Sequence, residues 1–108
     1  MAIDYTLAKE LLDAGFPQGG NGTWVMPPDK LVLRRDDRIY FPTLSELIEA
    51  CGAGFGTLRK ANGRGWVSDN GLLGVGQIKT SIHDTPEEAV VRLWLALQKN
   101  AHHRLSHL

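Results

Sequence analysis

Hydrophobic residues recur every three or four positions in three segments of the chain, and this spacing predicts three helices. The first predicted helix covers about residues 4–14, with leucines on one face and charged residues on the other. The second is LSELIEAC (44–51), whose apolar residues follow an i, i+3, i+4, i+7 pattern, and Gly52 ends it. The third covers about residues 86–99.

Short alternating runs after the first helix predict a β-hairpin. Residues 23–26 (TWVM) and 30–35 (KLVLRR) are expected to pair across a turn that contains two prolines. Residues 39–41 then return the chain as a short extended segment, because the following Pro42 disfavours helical geometry in the residue before it.

A second hairpin is predicted around Asn62-Gly63, since both residues tolerate the positive φ angles of a tight primed turn. Its strands would be residues 55–61 and 65–69. Residues 72–82 are expected to continue as a third antiparallel strand, although glycines make the start of that strand uncertain.

The second and third helices begin with the same cap signal. Thr43 precedes Glu46 by three residues, and Thr85 precedes Glu88 in the same way. In a capping box the threonine hydroxyl accepts the backbone N–H three residues on, while the glutamate accepts the N–H of the threonine. Two capping boxes are therefore predicted.

These elements together predict an α+β fold, an antiparallel sheet of short hairpins with about three helices packed on one face. The 108 residues, 43% of them hydrophobic, suit one domain over residues 1–100, followed by a flexible tail over 101–108. Cys51 falls in the apolar stripe of the second helix, so it is predicted to be a buried core residue rather than a nucleophile.

The charge of the chain is balanced, with twelve basic and twelve acidic residues. Such a chain lacks the overall field that attracts nucleic acid or an anionic membrane, so nucleic-acid binding is not favoured. We find neither a signal-peptide pattern at the N-terminus nor an apolar stretch that could cross a bilayer. We therefore expect a cytoplasmic protein with no membrane association, and the single cysteine agrees with a reducing compartment.

The third predicted helix is apolar around more of its circumference than one buried face requires. Helical spacing places Trp94 at the edge of the core arc and Val91 and Leu95 outside it. Such a helix is either covered on two sides within the domain or contacts another chain. We treat Val91, Trp94 and Leu95 as candidate protein contacts, and a homodimer through this helix as one form of that contact.

A basic and aromatic patch gives a second set of candidate contacts. Its residues are Arg34, Arg35, Arg38 and Tyr40, with Trp66 of the second hairpin as a neighbour. Arginine beside exposed aromatic rings suits a protein hot spot or stacking on nucleic-acid bases. Asp36 and Asp37 interrupt the patch and weaken the nucleic-acid interpretation. A solvated strand edge protected by charge is the alternative to both.

The sequence contains no pattern that predicts catalysis or a cofactor. The glycine clusters at 52–56 and 71–76 do not match a phosphate-binding loop, because the first follows a helix and the second enters a predicted strand. His83 lies beside Asp84, but no serine or cysteine nucleophile is tied to this pair by the sequence. Two histidines of the tail share a helical face but lack further metal ligands. We expect no cofactor, no metal and no enzyme.

Three segments resemble small accessory proteins of temperate phages and bacterial prophages: residues 8–18, 43–52 and 85–97. The matching residues are helix caps and core positions, so the resemblance transfers no catalytic residue. It implies an origin among phage accessory genes, many of which encode small inhibitors of host defence. Residues 71–84 and 102–108 look particular to this protein, and its specific function is expected there.

The first functional hypothesis is therefore a non-catalytic phage-type accessory protein that inhibits a host defence protein by protein–protein contact. The alternative is a small-ligand, nucleotide-type binding protein. In that case the glycine-rich turns would present backbone amides to phosphate, and Trp24 or Trp66 would stack on a base. An enzyme ranks below both hypotheses.

Overall fold

The computed structural model describes residues 5–27 and 38–105, which form three α-helices and two antiparallel sheets of two strands each. The helices are α1 (Tyr5–Asp13), α2 (Leu44–Cys51) and α3 (Pro86–Leu105). The strands are β1 (Thr23–Val25), β2 (Ile39–Phe41), β3 (Thr57–Lys60) and β4 (Trp66–Asp69). The helices pack against the sheets, which confirms the predicted α+β class, although the strands form two sheets instead of one.

The end of α1 is built by a Schellman motif at Gly15, whose φ of 90° suits glycine. The Phe16 N–H donates to the Leu11 carbonyl at 2.9 Å, and the Gly15 N–H donates to the Leu12 carbonyl at 3.0 Å. Phe16 is thereby turned into the core, where its ring meets the edge of Trp94 at a centroid distance of 5.0 Å. The motif therefore joins the end of α1 to α3.

In the first sheet, β1 pairs with β2, and Thr23 lies opposite Phe41. The sequence predicted that β1 pairs with residues 30–35, which lie outside the described residues. All three residues of β2 are buried. A continuous apolar run of this kind is typical of a strand covered on both faces, so the predicted extended segment is the buried strand of this sheet, while β1 is largely exposed.

The second hairpin forms as predicted, and its turn explains why. Asn62 and Gly63 have φ angles of 48° and 75°, as a type I′ turn requires. The Arg64 N–H donates to the Ala61 carbonyl at 2.9 Å, and the Ala61 N–H donates to the Gly65 carbonyl at 2.8 Å. These two bonds close the turn and set the register of β3 against β4.

The predicted third antiparallel strand over residues 72–82 forms only in part. Residues 78–83 run antiparallel to β4 only as an edge segment with isolated bridges. The Thr80 N–H donates to the Ser68 carbonyl at 2.9 Å, and the His83 N–H donates to the Trp66 carbonyl at 2.9 Å. Between these two bonds the edge segment advances by three residues, whereas β4 advances by two. The edge segment therefore contains a β-bulge.

The centre of the molecule is α3, which contacts α1, α2 and both strands of the second sheet. Val91 has no exposed surface and Trp94 is 5% exposed. The expectation that Val91 lies outside the core is therefore wrong. Neighbouring elements cover α3 on several sides, which accounts for its broad apolar surface within a single chain. Leu95 is partly buried against the same core.

The structure also extends α3 beyond its predicted end near residue 99. The helix continues to Leu105, through positions that the sequence analysis assigned to the tail, while residues 106–108 lie outside the described part of the chain. Within the described residues, none of the helices combines the length and apolar character needed to cross a membrane.

Candidate functional site

Residues 71–77 join β4 to the edge segment and form what we name the apolar loop. Leu73 is 87% exposed, Val75 is fully exposed and Leu72 is 54% exposed. Moving one such side chain out of water is worth about 1.5–3 kcal/mol. Isolated apolar residues are common on protein surfaces, but several on one short loop are typical of an interaction site.

The side chain of Asn70 holds the apolar loop in a defined conformation. Its Oδ1 accepts the N–H groups of Leu72 at 3.3 Å and Ile78 at 3.0 Å, and its Nδ2 donates to the Gly76 carbonyl at 3.0 Å. One amide group thus bonds to the beginning and the end of the loop. The exposed leucines and valine are presented by a closed, hydrogen-bonded structure.

A second anchor of the loop is Asp69, the last residue of β4. Its carboxylate accepts the Gly71 N–H and the Thr57 hydroxyl, each at 2.8 Å. The hydroxyl bond, followed by the Gly71 bond, holds the pKa of Asp69 below its usual value. Gly56 passes so close to this corner that a Cβ there would lie 2.0 Å from the Gly71 nitrogen. The anchor therefore needs glycine at position 56.

The predicted basic and aromatic patch is only partly described. Arg34 and Arg35 lie outside the described residues. Arg38 is exposed, and its guanidinium carbon lies 6.0 Å from the ring centroid of Trp24, which is 46% exposed. Trp66 lies on the other sheet, in β4. The structure thus gives Arg38 a cation–π partner that the sequence analysis did not assign to it.

Tyr40 is buried, so its expected place in an exposed patch is wrong. Its hydroxyl donates to the Glu46 carboxylate and accepts the Gly22 N–H at 2.7 Å. The same carboxylate accepts the N–H groups of Thr43 at 2.8 Å and Asn21 at 3.3 Å. Burial, and then the bond to Glu46, raises the pKa of Tyr40, while the bond from Tyr40 lowers the pKa of Glu46. This network fastens the loop before β1 to the start of α2.

These contacts bear on the nucleotide hypothesis, because they occupy the backbone amides that a phosphate would need. In the loop before β1, which contains Gly19, Gly20 and Gly22, the N–H groups of Asn21 and Gly22 donate to the protein's own Glu46 and Tyr40. In the apolar loop, the Gly71 N–H donates to the Asp69 carboxylate. Phosphate cradles require such amides to face the ligand, so both loops lose donors on which the hypothesis relied.

The two predicted capping boxes differ in the structure. At α2 both reciprocal bonds are present, as predicted. At α3 the Glu88 N–H donates to the Thr85 hydroxyl at 3.1 Å, but the Glu88 carboxylate lies 3.2 Å from His83 Nδ1. The second box is therefore half formed, and the partner of His83 is Glu88, where the sequence had suggested the adjacent Asp84.

No protein-family model matches this chain, and neither a curated protein nor a solved structure matches it. What the geometry defines is a small α+β domain whose most exposed apolar side chains, within the described residues, lie on one anchored loop. This loop is therefore the candidate functional site.

The apolar loop was not predicted, because residues 72–82 were expected to form a strand. The sequence did contain a signal against a strand. Leu72 and Leu73 are adjacent and so do not alternate with polar residues, and glycines interrupt the run 71–76. The glycines with positive φ are Gly71, Gly74 and Gly76. Three left-handed positions within six residues favour a turning loop over an extended strand.

Proposed function

We propose that this chain is a non-catalytic binding protein that acts by protein–protein contact, with the apolar loop as its contact surface. The observation that carries the proposal is the exposure of Leu72, Leu73 and Val75 on a loop anchored by Asn70 and Asp69. A pre-ordered loop loses little conformational entropy when it binds, so its apolar surface contributes more of its burial energy to affinity.

The class of partner that we propose is a host defence protein in the bacterial cytoplasm, which this chain would inhibit. The resemblance of three segments to phage accessory proteins supports that choice. The position of the loop supports it as well, because residues 71–84 are one of the two stretches, with 102–108, that look particular to this protein.

Affinity capture from a bacterial lysate tests the proposal when it compares matched variants. The test variant carries Leu72→Ser, Leu73→Ser and Val75→Ser. The control variant carries Leu12→Ser and Trp24→Ser, which remove exposed apolar side chains outside the loop. We expect one partner to be retained by the unmodified chain and by the control variant and to be lost from the loop variant.

Quantitative mass spectrometry of the captured proteins decides between the outcomes. If no protein is retained by the unmodified chain, or if the loop variant retains the same proteins, the apolar loop is not the contact surface. Sedimentation of the unmodified chain alone identifies self-association. A dimer that the three loop substitutions dissociate would replace the host partner with a second copy of the chain.

The alternative of a nucleotide-type ligand is supported by the half-exposed Trp24 beside Arg38, which offers a ring for stacking and a charge for phosphate. Thermal shift against a nucleotide panel tests it. A ligand at a hundred times its dissociation constant adds about 2.7 kcal/mol of apparent stability. A shift that Trp24→Ala abolishes would favour this alternative, and no shift across the panel would exclude it.

A further inference from the structure

The edge segment brings together three side chains that no sequence motif had linked. Ser81 Oγ lies 3.3 Å from His83 Nε2, and His83 Nδ1 lies 3.2 Å from Glu88 Oε1. A hydroxyl on one imidazole nitrogen and a carboxylate on the other is the order of groups that activates serine nucleophiles on unrelated folds.

His83 is held in place by its backbone and by its side chain. Its backbone N–H and carbonyl both bond to Trp66, at 2.9 and 2.7 Å, and its side chain is 16% exposed. Glu88 is fixed in the first turn of α3, where its N–H donates to the Thr85 hydroxyl. A carboxylate at Nδ1 favours the tautomer with the proton on that nitrogen. Nε2 is then free to accept the hydroxyl proton of Ser81.

Ser81 itself is exposed and lies in the β-bulge between Thr80 and His83. Bulges redirect a side chain relative to a regular strand and occur next to active sites. The N–H of the next residue, Ile82, makes no hydrogen bond to any described residue. The amide that follows a nucleophilic serine is a common donor to the oxyanion that forms on attack.

We infer that Ser81 is an acyl-accepting nucleophile that reacts with small activated esters, such as aryl esters of short carboxylic acids. Ser81 Oγ forms a bond to the ester carbonyl carbon, and the bond from that carbon to the aryl oxygen breaks. His83 Nε2 takes the hydroxyl proton and passes it to the departing aryl oxide. The products are an acyl ester on Ser81 and a free phenol, so atoms and electrons balance. The inference does not depend on the proposed binding function.

The test is acetylation of the full chain by p-nitrophenyl acetate, followed through released p-nitrophenol and by peptide mapping. We expect one acetyl group on Ser81 and none on Ser45, an exposed serine of α2 that bonds to no histidine within the described residues. His83→Gln should slow the acetylation of Ser81 by about 100-fold or more, the lower range for loss of a general base. Glu88→Gln should slow it by at least about tenfold.

Ser81→Ala and Ser45→Ala are matched controls, because both positions are exposed and neither change disturbs the core. The first should abolish the mapped adduct and the second should leave it unchanged. Circular dichroism checks that every variant folds. Acetyl groups found on Ser45 at the same rate, on His83 instead of Ser81, or on Ser81 at an unchanged rate in a folded His83→Gln variant would each overturn the inference.

Discussion

At the scale of single residues, Glu46 joins two parts of the chain that are far apart in sequence. Its carboxylate accepts the Tyr40 hydroxyl, the N–H of Thr43 and the N–H of Asn21. The first of these bonds makes the largest contribution to the lowering of the Glu46 pKa, and the second adds to it. The folded protein therefore stabilises the ionised form of Glu46 relative to the unfolded chain.

Replacing Glu46 by Gln should change how stability depends on pH. Because the folded pKa lies below the ordinary value of 4.5, the stabilisation is fully present above that pH and is lost as pH falls through the folded pKa. We expect Glu46→Gln to be less stable than the unmodified chain at pH 7 and the difference to shrink below pH 4.5. Urea midpoints from pH 7 to 3 measure this.

The matched control is Glu49→Gln, an exposed carboxylate in the next turn of the same helix. Its urea midpoint should follow that of the unmodified chain across the whole pH range. If Glu46→Gln tracks the unmodified chain in the same way, the contacts of Glu46 contribute no pH-dependent stability.

Cys51 provides a prediction at alkaline pH. The residue is 8% exposed, and burial raises its pKa from 9.0 to about 11. At pH 8 the native thiol should therefore react with iodoacetamide about 100-fold more slowly than in urea, because two pKa units lower the thiolate fraction by that factor. The stability that this shift provides should be lost as pH rises from about 9 to about 11.

Cys51→Ala should flatten the alkaline part of the stability profile while leaving a folded domain. Equal alkylation rates in native and denaturing buffer would contradict the burial of the thiol.

The burial of Cys51 was predictable, because Cys51 falls in the apolar stripe of α2. That of Tyr40 was not, since its partner Gly22 lies 18 residues away.

At the scale of elements, the two helix caps show one sequence signal with two outcomes. Both threonines accept the expected N–H, but only Glu46 returns to the backbone of its own cap. Glu88 bonds to His83 instead, because the bulged edge segment brings the imidazole beside the start of α3. The presence of a cap is local and predictable, whereas the partner of its glutamate depends on which segment packs nearby.

Substitutions at the caps should separate the contribution of each threonine to stability from that of Glu88. Thr43→Ala and Thr85→Ala should each lower the free energy of unfolding by about 1 kcal/mol, the usual effect of losing a threonine cap. Glu88→Ala should have a smaller effect than either, because no bond from Glu88 to the backbone of Thr85 is present among the described residues. Urea unfolding of the three variants measures the differences. A Glu88→Ala loss equal to that of Thr85→Ala would contradict this order of effects.

The same contrast between local and distant contacts applies to the strands. The second hairpin was predictable because Asn62-Gly63 supplies the φ angles of its turn. The irregular course of residues 72–82 was not, because Asp69 at the end of β4 and the following Asn70 organise it through side-chain bonds. Alternation of apolar and polar residues carries no information about such bonds.

At the scale of the whole molecule, the most exposed apolar residues are not the ones that the sequence suggested as contacts. The candidate contacts Val91 and Trp94 are core residues of α3, whereas the two most exposed large apolar side chains of the described residues, Leu73 and Val75, lie on the loop after β4. Helical spacing describes which residues share a face of one helix. It does not reveal how many other elements cover that helix.

Substitutions in the core and in the loop should therefore differ in their effect on stability. Leu93→Ala, at a position with no exposed surface, should cost about 2–5 kcal/mol through lost burial and a new cavity. The combined serine substitutions at Leu72, Leu73 and Val75 should stay within about 0.5 kcal/mol of the unmodified chain, as is usual for surface changes. Urea unfolding of both variants checks this contrast. A large loss from the loop variant would mean that the loop supports the fold.

By itself, the sequence determined the presence of the three helices, the threonine caps of α2 and α3, the type I′ hairpin and the α+β class, because these depend on spacing and on residues within a few positions of one another. Only the tertiary structure decided which apolar residues are covered and which polar groups meet. The burial of Val91 comes from elements across the chain, and the contact of Ser81 and Glu88 with His83 comes from a bulge and a helix start brought side by side. Both depend on packing between elements, and no local pattern of residues records that packing.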